Sequence, residues 1–166
     1  PVPDGDTGTN MAFTMTSVLE ASIEQIEPRV DLFTKIISDA AIDGARGNSG
    51  VLIAQFFVGF SEGCEKREKL DCHTLVKAFK NGSISAREAM EDPREGTILT
   101  VFQDLSNKIE QAVNEGTQDI YEIMKIGYSA ALKSLAETPD KLKILKKGGK
   151  CLFKRICQNM SKLITH

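Results

Sequence analysis

The chain has 166 residues, 41% of them hydrophobic and 6% aromatic, with no Trp and a formal net charge of −2. That length supports one compact core and excludes two independent ones. The charge is uneven, because residues 141–166 carry eight Lys or Arg and no Asp or Glu; spread among Leu, Ile and Phe, these read as the solvated face of a helix rather than a nucleic-acid or membrane patch.

In chain order, helical periodicity dominates and no run alternates as a half-buried strand does. Pro1-Val2-Pro3 leads straight into an Asp-Gly-Asp turn, as though a helix normally precedes it. The first helix is expected from about Asn10 to Glu27, with Met11, Met15, Val18, Ser22 and Ile26 inward and Pro28 as its stop. A second runs from about Asp31 to Ala45, with Asp31 as N-cap and Phe33, Ile36, Ile37, Ala40 and Ala41 inward. The third, from about Ser49 to Lys66, is apolar nearly all round and so is buried on most sides. Asp71 opens a fourth that continues to about Glu91, weakened in its middle by Asn81-Gly82-Ser83. After Pro93 the stripe Ile98, Val101, Phe102, Leu105, Ile109, Ala112 and Val113 ends near Gly116. A sixth helix carries Ile120, Met124, Gly127, Ala131 and Leu135 on one face and stops before Pro139. A short helix at about 140–147, a Gly148-Gly149 break and a last helix from about Lys150 to Ile164 complete the chain. Met15, Phe56, Phe57 and Phe102 read as core packing.

The chemistry lies in the connections. Short loops make successive helices antiparallel, so alternate helices start at one rim. Three Gly- or Asp-rich turns open such helices: Asp4-Gly5-Asp6-Thr7-Gly8-Thr9-Asn10, Gly44-Ala45-Arg46-Gly47-Asn48-Ser49-Gly50 and Glu95-Gly96-Thr97. Helix N-termini offer free N–H groups and a positive dipole end to phosphate, while paired carboxylates hold the hard cation that screens it. The pattern predicts a Mg-nucleotide.

Rival readings fail on spacing. As a calcium loop the first turn would place Gly8 at the fifth position, Thr9 at the obligatory Gly and Met15 at the closing Glu. Gly44–Gly50 lacks the Lys-Ser/Thr ending of a Walker loop, although its backbone can still nest an anion, with Asn48 and Ser49 donating to phosphate. Arg46 either clamps an anion or pairs with Asp43 or Asp39 on the preceding helix. The four cysteines show no C-x₂-C spacing and there are two histidines, which argues against a zinc site and for a reducing compartment. No stretch reaches the ~18 apolar residues of a membrane span and no signal peptide is evident, so the expected location is cytoplasmic.

Three stretches carry a family likeness: Pro1 to Met11, Gly44 to Val51 and Glu95-Gly96-Thr97-Ile98-Leu99. They resemble the N-terminal nucleotide-binding domain of bacterial fatty acid kinase, of the superfamily that includes the ADP-binding (DhaL-like) subunit of dihydroxyacetone kinase. The likeness covers roughly residues 1–147. It implies an all-α, up-and-down antiparallel barrel of eight helices, here without its first helix, as a single domain over 1–166 with 148–166 atypical. Asp4 and Asp6 resemble Mg²⁺ ligands, and Thr7, Thr9, Asn10, Gly47, Asn48, Ser49, Gly96, Thr97 and Gly149 resemble contacts to ATP or ADP. No covalent nucleophile is implied, because phosphoryl transfer rests on positioning and charge neutralisation.

The implied reaction passes the γ-phosphoryl to a fatty acid carboxylate presented by a separate lipid-binding protein, giving an acyl phosphate. The other partners implied are the remaining domains of the same kinase; no nucleic acid is expected, and a homodimer is a further partner to test. A dihydroxyacetone kinase subunit and a non-catalytic binding module of the same fold are the alternatives. A nucleic-acid binder using the basic tail is a third and predicts salt-sensitive binding. The chain departs from the family pattern at Gly148-Gly149, where an Asp before the double glycine and a third Gly after the Lys are absent.

Overall fold

The computed structural model describes residues 7–141. Among them are six α-helices and no strand: α1 Thr7–Glu24, α2 Val30–Asp43, α3 Gly47–Gly63, α4 Cys72–Glu88, α5 Ile98–Asn114 and α6 Ile120–Lys141. The class is all-α, as expected. The short helix expected from about 140 begins inside α6, which runs on to Lys141; the rest of it, the Gly148-Gly149 break and the last helix fall outside the described residues.

Local chemistry sets the ends. The Asp71 carboxylate accepts the Thr74 amide at 2.7 Å and caps α4, and the Thr97 hydroxyl accepts the Leu99 amide at 3.3 Å at the start of α5. Glycines at 96 and 116, with φ of 76° and 97°, turn the chain into and out of α5.

Neighbouring helices run antiparallel through α3, α4, α5 and α6. Gln55 meets Ser85 and, further along, Gly63 lies on Ala78. Lys80 pairs with Glu110 and Ser83 bonds Gln103, while Ser134 donates to Asp104 at 2.6 Å. At the α3–α4 seam the two backbones touch: a Cβ on Gly59 would lie 2.3 Å from the Asn81 carbonyl oxygen, and one on Gly82 2.8 Å from that of Phe56. Asn81-Gly82-Ser83 therefore does not interrupt α4. The core lies alongside, built from Leu52, Phe56, Leu75, Phe79, Leu99, Ile109 and Ile123. Phe56 stacks on Phe102 at 4.4 Å and meets Phe79 at 6.0 Å. Burying a side chain of this kind stabilises by ~2 kcal/mol.

α1 lies against both α2 and α3, parallel to α3. Its buried stripe is Gly8, Met11, Thr14 and Val18, so the expected stripe is displaced. Met15 is 42% exposed and Ser22 half-buried, while Ile26 is 92% exposed because α1 ends at Glu24, short of the expected Glu27. The stripe is displaced because the neighbours of α1 present glycine and alanine, which admit small polar side chains where the pattern predicted apolar ones.

α2 and α6 also depart from expectation. Asp31 is not the N-cap of α2; Arg29 holds that position, and Asp31 sits inside the first turn. The guanidinium of Arg29 hydrogen-bonds the Asp31 carboxylate and holds it below its usual range, and Arg29 also pairs with Glu68 at 2.7 Å. α2 buries Thr34, Ser38 and Ala41, leaving Phe33, Ile36 and Ile37 half-buried. α6 continues through Pro139 to Lys141. Proline withholds the N–H that the Leu135 carbonyl needs, and the Thr138 hydroxyl donates to that carbonyl at 2.8 Å instead. The inward residues of α6 include Ile123, Gly127, Ser134 and Thr138, with Met124 exposed.

Candidate functional site: the rim of helix N-termini

The N-terminus of α1 and the α2–α3 connection meet directly. The Ser49 hydroxyl, in the first turn of α3, donates to the Thr7 carbonyl at 3.2 Å. Each glycine of the connection faces a polar side chain of α1: added Cβ atoms would lie 2.2 Å from Ser17 Oγ at Gly44, 2.5 Å from Asn10 Nδ2 at Gly47 and 2.6 Å from Thr14 Oγ1 at Gly50. Gly47 also has φ +55°, the left-handed conformation that favours glycine. In the sequence these glycines read as room for an anion. They are first room for α1, and Thr14 and Ser17 were missed; the signal was the i, i+4, i+7 spacing of Asn10, Thr14 and Ser17.

The third turn starts α5 at the same end as α3, since Phe102 in the second turn of α5 stacks on Phe56 and Leu99 joins Leu52 in the core. Its polar groups are tied locally. The Gly96 amide donates to Thr100 Oγ1 at 2.8 Å, Thr100 donates to Glu95 at 2.8 Å, and Glu95 pairs with Arg87 at 2.9 Å. The Thr97 proton goes to the Arg94 carbonyl at 2.7 Å, which leaves that hydroxyl an acceptor.

Thr9 and Asn48 are exposed, while Thr7, Asn10 and Ser49 are half-buried. Asp4, Asp6 and Gly149 lie outside the described residues. Within them, no group of three His, Cys, Asp or Glu side chains is placed to hold a metal ion. The donor set that is described fits an anion: hydroxyls, amides, helix N-termini and the exposed Arg46 at the N-cap of α3. Asp39 is taken by Lys35. Arg87 and Arg94 are paired with Glu95 and Asp92. An open groove of about 680 Å³ between α5 and α6, bordered by Asp104, Lys108, Lys133 and Glu137, includes none of the predicted site residues. No helix among the described residues is long and apolar enough to cross a membrane.

The sequence matches the DAK2 domain over residues 1–151. It is 42% identical over 149 residues to an uncharacterized protein of Staphylococcus saprophyticus, and 41% identical over 151 and 150 residues to uncharacterized proteins of Staphylococcus haemolyticus and Staphylococcus aureus strain USA300. Each alignment takes in 90% of this chain and 27% of the relative, so the chain spans about a quarter of the length of the curated relatives it matches. The chain belongs to the DAK2 domain family, the nucleotide-binding module of dihydroxyacetone-kinase-like systems.

Proposed function

We propose that this domain holds Mg-ATP across the α1 N-terminal turn and the α2–α3 connection, as the nucleotide half of a kinase. The observation that carries the reading is the Ser49–Thr7 hydrogen bond, which joins the Asn-Ser loop to the residue following Asp6 in sequence. In this reading Asp4 and Asp6 hold Mg²⁺, Thr9, Asn10 and Asn48 contact phosphate oxygens alongside the α1 and α3 N-termini, and Ser49, whose hydroxyl proton bonds the Thr7 carbonyl, contacts them through its first-turn amide. Arg46 adds a positive charge at the same loop, and Gly96, Thr97 and Gly149 border the nucleotide. The acceptor is a fatty acid carboxylate brought by a separate lipid-binding protein. Its oxygen attacks the γ-phosphorus, the bond from that phosphorus to the β–γ bridging oxygen breaks, and ADP and an acyl phosphate result. Other parts of a longer kinase bring the acceptor, and a dihydroxyacetone-type acceptor is the second reading, because the nucleotide site is common to both.

The test is calorimetric titration of the 166-residue chain with ATP, with and without Mg²⁺. Binding that needs the metal and is abolished by Asp4→Ala and by Asp6→Ala is the expected result. Metal-independent binding, or binding untouched by both substitutions, would overturn it.

A further inference from the structure

We infer that Thr14 is a positioning residue that fixes the α2–α3 connection against the N-terminal turn of α1 and thereby sets the geometry of the phosphate-binding rim, an inference that rests on the nucleotide reading above. Thr14 is fully buried, one turn beyond Asn10. Its hydroxyl lies 3.1 Å from the Asn10 carbonyl and 3.2 Å from the Gly44 carbonyl. The first is the ordinary back-bond of a helical threonine. The second is not, because Gly44 caps the C-terminal end of α2, where carbonyls lack intrahelical donors. Thr14 supplies one.

The same oxygen lies where a side chain on residue 50 would begin, so Gly50 is glycine because Thr14 fills its place. The Gly44 carbonyl and Gly50 bracket Arg46, Gly47, Asn48 and Ser49, the residues that face an incoming phosphate in this reading. Asn10 and Ser17, flanking Thr14 on the same stripe, meet Gly47 and Gly44. One side chain therefore holds both ends of the loop to the helix that follows the acidic turn. Neither helix propensity nor core volume demands a hydroxyl here, since valine has the same shape. An anion site loses affinity when its donors shift by a fraction of an ångström.

Thr14→Val and Thr14→Ser separate the hydroxyl from the packing. Amide hydrogen exchange is followed across residues 44–50, where the Gly50 amide is bonded to the Arg46 carbonyl at 3.0 Å, and Mg-ATP is titrated in parallel. Thr14→Val should speed exchange in that loop about tenfold, leave α5 and α6 unchanged and raise the Mg-ATP dissociation constant about tenfold. Thr14→Ser should restore both. Wild-type loop exchange in Thr14→Val, or a Thr14→Ser protein as impaired as Thr14→Val, would overturn the inference. Should Thr14→Val lose its helical far-UV signal, Thr14→Ala against Thr14→Ser gives the same comparison. A wild-type chain that binds no Mg-ATP would sink the nucleotide reading, while the exchange comparison would still decide whether Thr14 holds the loop.

Discussion

Gly47 is required twice over, by its left-handed backbone and by the Asn10 amide that occupies its Cβ position. Gly47→Ala should destabilise the chain by about 1–3 kcal/mol, read from the urea midpoint at unchanged m-value. Gly116 provides the contrast, with φ +97° but nothing within 4 Å, so an alanine there meets backbone strain alone. Cys64 is fully enclosed, and burial pushes its thiol above the usual range. The half-exposed Cys72, whose thiol donates to the Gln118 carbonyl at 3.2 Å, should therefore label before Cys64 with a maleimide at pH 7.5. Peptide mapping by mass spectrometry should find Cys64 unmodified until the protein is unfolded.

Among the elements, the α3–α4 seam carries the tightest approach of one backbone to another. Gly59→Ala drives a methyl into the Asn81 carbonyl, a backbone atom that has no rotamer to yield, and should destabilise by about 2 kcal/mol or more. The Asp71 cap contributes differently. The Thr74 amide lowers the Asp71 pKa in the folded state, so the cap's stabilisation is present above the ordinary carboxylate range and is lost as pH falls through the lowered value. Asp71→Ala should lower stability by ~1 kcal/mol at neutral pH, and Asp71→Asn should keep most of the cap while removing that acid dependence, both seen in thermal melts from pH 3 to 7. These two contacts also mark what was legible. Asp71 announced itself as a helix start and the core stripe of α5 read directly, because capping and periodicity are local. Gly82 read as a weak point, since the α3 backbone that needs it is distant in sequence. Pro139 read as a stop for want of the Thr138 hydroxyl that takes over its missing bond. Met15 reads as inward because period alone cannot say which flank of α1 meets glycine, and Ile26 because the pattern carries the helix on to Pro28, whereas α1 ends at Glu24.

For the whole molecule, ligand linkage gives the broadest test of the nucleotide reading. Mg-ATP at 100 times its dissociation constant should stabilise the chain by about 2.7 kcal/mol and raise Tm, an effect that Asp4→Ala and Asp6→Ala should each erase in differential scanning fluorimetry. The motifs were legible as three turns at one rim; that the middle turn's glycines are occupied by Ser17, Asn10 and Thr14 was not, because that fit depends on two helices lying parallel. The parallel fit carries a consequence of its own. Residues 10, 14 and 18 of α1 align with 47, 50 and 54 of α3, a constant stagger of about 36 positions. Adding or deleting one residue within that stretch would swing the helix by about 100° and present Phe13 or Met15 to notches shaped for hydroxyls and an amide. The spacing between the two loops is thus indexed like teeth on a rack: it can shift by whole turns or not at all, while the loops beyond remain free to change in length.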